Sequence, residues 1–118
     1  MIPSDIAREL LELTETNKKG VDALFDAETN LAEREKDLDK AEASAFLGAT
    51  GAVAERQAIT KLECADIRFA RDLAKAQVNR VRTKMRTIES QLMAQATVAN
   101  LLHNSIRQNS LSISSFAL

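Results

Sequence analysis

Seven bases fall between residues 68 and 86: Arg68, Arg71, Lys75, Arg80, Arg82, Lys84 and Arg86. Asp72 is the only acid among them. A run this dense could neutralise phosphates, which is the chemistry of sequence-independent nucleic-acid binding. Aromatic residues make up only 3% of the chain, so stacking on bases is poorly provided for. A structural role competes. Residues 1–48 hold twelve acids and six bases, whereas residues 49–118 hold five acids and ten bases. Acids of the first half could pair with bases of the second and select the partner helix, each exposed pair adding little stability. Pairing is the preferred reading.

Other residues with chemical potential are isolated. Glu33, Glu35, Asp37, Asp39 and Glu42 form an acidic run, but carboxylates two apart on a helix diverge. That makes a solvated face, not a metal cage. Gly48, Ala49, Thr50 and Gly51 lack the Lys-Ser/Thr of a phosphate loop and a preceding strand. The single His103 sits beside Leu101 and Leu102 near a helix end, where an interface or capping role is expected. The single Cys64 has no His near it in sequence and reads as a small half-buried hydrophobe. No enzymatic activity, cofactor or metal is expected.

Those residues must be carried by helices. The 118 residues are 45% hydrophobic, with 19 Ala against 4 Phe, no Trp or Tyr, 3 Gly and 1 Pro. Small apolar side chains and few breakers predict long, thinly packed helices rather than a sandwich, a barrel or a βαβ fold. Helix one is predicted over about 4–47, with Ser4 as its N-cap. Leu10, Leu24, Leu31 and Leu38 lie on one seven-residue grid, with Asn17 on the stripe and Ala27, Ala41 and Ala45 beside it. Arg34 interrupts it. Asn17, Lys18, Lys19 and Gly20 either break off a short N-terminal helix or only kink the chain.

Gly48–Gly51 should end helix one, with Thr50 capping the next helix. Helix two is predicted over about 52–107. Its expected inner stripe runs Ile59, Leu62, Ala65, Phe69, Leu73 and Ala76, then Val78, Val81, Met85, Ile88, Leu92, Ala99, Leu102 and Ile106. A turn at 48–51 sets Leu38 opposite Leu62 and Leu31 opposite Phe69, and brings Glu28 near residues 71–77. Residues 1–108 thus form one antiparallel, coiled-coil-like hairpin domain, and residues 109–118 an extended or flexible apolar tail.

That register leaves everything from Ala96 onward overhanging helix one. Val98, Leu101, Leu102, Ile106, Leu111, Ile113 and Phe116 would then need cover, since each buried large side chain contributes about 1.5–3 kcal/mol. They are the expected oligomer interface, and the fold class is an all-α hairpin assembling into an oligomeric bundle.

The stretch from Ala41 to Arg71 carries Phe46 and Leu47, a Gly-containing turn, then Val53, Ala54, Glu55 and Arg56. In this it resembles small uncharacterised helical-hairpin proteins of tailed bacteriophages, which often sit among replication and recombination genes. The resemblance implies a genomic setting and carries no catalytic residue. Secreted hairpins of the WXG type need a Trp at the turn, which this chain lacks.

The expected function is a non-enzymatic homo-oligomer acting as an assembly or protein-interaction module, phage-encoded. The alternatives are an accessory DNA-binding protein of phage replication or recombination, and an adaptor or inhibitor of a host protein. The N-terminus lacks a basic region and apolar run, and no stretch approaches the ~20 apolar residues of a membrane span, so a host-cytoplasmic site without membrane contact is expected.

Overall fold

The computed structural model describes the backbone of residues 3–117 and the side chains of residues 4–109. These residues form three helices and no strand: α1 (Pro3–Gly48), α2 (Val53–Glu63) and α3 (Ala65–Ala117). None of them is long and apolar enough to cross a membrane.

Helix α1 begins at Pro3, whose ring presets the helical φ and whose missing N–H costs nothing at a helix start. Ser4 therefore lies inside the first turn and is not the N-cap. The helix runs through residues 17–20 without a break. Gly20 serves packing, not termination: a Cβ there would lie 3.2 Å from Cγ of Met85.

The reversal falls where the glycines stand. Gly51 has φ +108°, which L side chains rarely adopt. Ala52, not Thr50, precedes α2, and it provides no side-chain cap. Helix two is not continuous. Cys64 departs from helical geometry at φ −96° and ψ 7°, although Cys64 N–H still bonds Thr60 O and Arg68 N–H bonds Cys64 O. The chain bends there and continues as α3. No Gly or Pro follows, and Ser costs a helix only a few tenths of a kcal/mol, so α3 extends to Ala117. Residues 109–117 are helical where an extended tail was the expectation.

The packing forms two compact units. One comprises residues 1–20 with 84–118, the other residues 21–83. In each, α1 and α3 run antiparallel. Their least exposed residues recur alternately three and four apart, the spacing of a helix-packing seam. On α1 this stripe includes Leu10, Leu13, Asn17, Gly20, Leu24 and Ala27, then Leu31, Arg34, Leu38, Ala41 and Ala45. Opposite, it begins at Cys64 and includes, on α3, Ile67, Arg71, Ala74, Val78 and Val81, then Met85, Ile88, Leu92, Gln95, Ala99 and Leu102.

The leucine grid of α1 matches its expectation; the first half of the α3 stripe does not. Leu62, Phe69 and Leu73 are 80%, 63% and 56% exposed. The inner face uses Cys64, Ala70 and Ala74 instead, small side chains that let the helices approach. The register shifts with it. Phe46 meets Arg56 and Glu42 meets Arg68, so twelve residues on one side answer four on the other. Helix α2, with no buried residue, takes up the difference. Glu28 consequently meets Arg82 rather than residues 71–77.

Candidate functional site

The basic run is partly neutralised within its own unit. Arg68 Nη2 donates to Glu42 Oε1 at 3.1 Å, and Arg82 Nη2 to Glu28 Oε1 at 2.9 Å. Arg71 Nε donates to the adjacent Asp72 at 2.7 Å. Two of the seven bases thus bridge to α1. Both bridges are partly exposed, so each is worth about 0.2–1 kcal/mol and serves mainly to fix register. Lys75, Arg80, Lys84 and Arg86 are exposed and make no ion pair among the described residues.

Arg56 forms the most elaborate contact near the turn. Its Nη2 and Nε donate to Phe46 O at 2.8 and 3.3 Å, and the guanidinium sits 4.2 Å from the Phe46 ring centroid. Phe46 O belongs to the last turn of α1, where carbonyls lack helical partners and the helix dipole is negative. A planar cation that bonds the carbonyl and covers the ring closes that end of the helix. Both residues lie in the phage-like stretch, whose sequence alone suggested only a helix start at Glu55 and Arg56.

In the acidic run of α1, Glu33, Glu35, Asp37 and Asp39 are solvent-exposed, whereas Glu42 is half-buried in its bridge to Arg68. Arg34 lies 3.6 Å from Glu33 and 3.7 Å from Asp37. No group of three or more metal-binding side chains exists among the described residues. Cys64 is 1% exposed, deeper than the half-buried position expected of it.

The expected oligomer interface is changed most. Ile6, Ala7 and Leu10 of α1 share an apolar cleft of about 220 Å³ with Ala99, Leu102, His103 and Ile106 of α3. Nearby, Gln95 Nε2 donates to Glu9 Oε2 at 2.6 Å. The start of α1 therefore lies beside residues 95–106, where Ala99 and Leu102 are half-buried. The cause is the same register shift. Val98, Leu101 and Ile106 remain 43%, 65% and 53% exposed. Leu111, Ile113 and Phe116 lie outside the residues whose side chains are described.

Among the described residues, three buried side-chain polar atoms lack a hydrogen-bond partner: Asn17 Oδ1, Arg34 Nε and Gln95 Oε1. All three belong to the inner stripes. Scanned against known proteins, the chain matches no family model, no curated protein and no solved structure.

Proposed function

We propose that the chain is a non-enzymatic, self-associating helical protein that acts as an assembly or interaction module. Uncovered surface is the observation that carries this reading. Phe25, Phe69, Leu101 and Met93 are each more than 60% exposed, and large apolar side chains left in water are the surface an assembly covers. The three–four alternation of the inner stripes supports a coiled coil as the building unit. The resemblance around Phe46 to Arg56 supports a phage origin, with work in the host cytoplasm.

Association should be linked to folding by mass action, so the melting temperature should rise with protein concentration. Light scattering and thermal scans over a dilution series check this. A monodisperse monomer with a constant melting temperature throughout would overturn it.

A second reading, accessory DNA binding, is favoured by the four unpaired bases Lys75, Arg80, Lys84 and Arg86. If assembly is the function, replacing Arg80, Arg82 and Arg86 with Gln should leave DNA binding at the same weak background. Tight binding by the parent that falls steeply with salt and is lost in the variant would move the function to nucleic acid.

A further inference from the structure

We propose that a second copy of this chain packs on the outer face of α3, antiparallel to it about Leu73. The inference rests on the self-association proposed above and assigns it a surface. Opposite the inner stripe, α3 carries another with the same alternation: Asp66, Phe69, Leu73, Ala76, Arg80 and Thr83, all exposed. Three–four spacing of apolar residues is the spacing of a helix-packing seam, and a face meant only for water is expected to be polar. Here Phe69 is 63% and Leu73 56% exposed.

The charges on the stripe indicate which partner it fits. A two-fold contact is self-complementary: if one residue meets another, the second meets the first. Asp66 and Arg80 lie seven residues to either side of Leu73, so both share its face. An antiparallel copy with its axis at Leu73 sets Asp66 against the partner's Arg80 at both ends of the contact. Neither residue makes an ion pair among the described residues of its own chain. Phe69 comes level with the partner's Gln77, one residue from the partner's Ala76 on the same stripe, which is small enough to admit the ring. The flanking bases Arg68, Arg71 and Arg82 are already engaged by Glu42, Asp72 and Glu28, which lowers the repulsion between two basic helices. A foreign helix would not require an acid and a base placed symmetrically about a leucine; a second copy does.

The test is sedimentation equilibrium of the full chain carrying Asp66→Arg, Arg80→Asp, or both. Each single change sets like charges against each other at both ends of the contact and should raise the dissociation constant about tenfold. The double change restores opposite charges and should bring it back to within about twofold of the parent. Circular dichroism should show unchanged helicity, since both positions are exposed. A parent chain that stays monomeric at every concentration overturns the self-association reading and this surface together. A parent that associates, with single variants that match it or a double variant that does not recover, overturns this surface alone.

Discussion

Leu38→Ala should lower the melting temperature by roughly 10–20 °C, on a cost of about 2–5 kcal/mol for emptying a buried leucine site. Leu38 is 4% exposed. Its neighbours along the α1 stripe are Arg34, Ala41 and Ala45, and the nearby α3 stripe offers Arg71 and Ala74. Ala41 and Ala74 are too short to fill the space, so the cavity should largely persist. The comparison that decides the register is Leu62→Ala. If Leu38 packed on Leu62, as a simple turn at 48–51 implies, the two changes would cost alike. With Leu62 80% exposed, its truncation should stay within about 0.5 kcal/mol of the parent. Thermal scans at one low protein concentration keep association from confusing the pair. Equal losses would restore the simple register.

The α1 stripe was legible because every large residue on it points the same way. Leu10, Leu24, Leu31 and Leu38 share a seven-residue grid, and no competing stripe of comparable size exists on that helix. Across the end of α2 and the start of α3 two stripes compete between residues 62 and 76. The larger residues, Leu62, Phe69 and Leu73, make the outer one more conspicuous. The inner stripe is favoured because α1 already supplies the bulk, and small Cys64, Ala70 and Ala74 permit close approach. Periodicity on one helix cannot weigh what the facing helix contributes. The register failed for a related reason. A bend at Cys64 requires neither Gly nor Pro, so no residue type announces that α2 leaves the seam. The register also moves the start of α1 beside Ala99 and Leu102, while Val98, Leu101 and Ile106 stay exposed as the overhang from Ala96 implied. Residues 17–20 leave a break and a kink both open in the sequence: next to two lysines Gly20 resembles a helix end, and only the approach of Met85 gives its role. Charge asymmetry between the halves was readable, whereas the particular pairs Glu42 with Arg68 and Glu28 with Arg82 depended on the register.

Asn17→Leu should raise stability by about 2 kcal/mol, by removing a buried carbonyl that has no partner and adding apolar surface. The contacts of Glu9 with Gln95 and Gly20 with Met85 put Asn17 level with Ile88, which is 6% exposed. An acceptor held there gives up water and receives nothing in return. A polar residue at such a position can persist because it penalises other alignments: slipping α1 by one turn, about four residues, would set Asn17 level with Leu92 and Leu13 level with Gln95. The leucine variant should therefore melt higher yet discriminate less between alignments. Two measurements check this. Thermal scans at matched concentration should show the gain. Light scattering should show a broader distribution of assembled species than the parent gives. A variant that melts lower than the parent would mean that Asn17 is satisfied in solution and contributes to the seam directly.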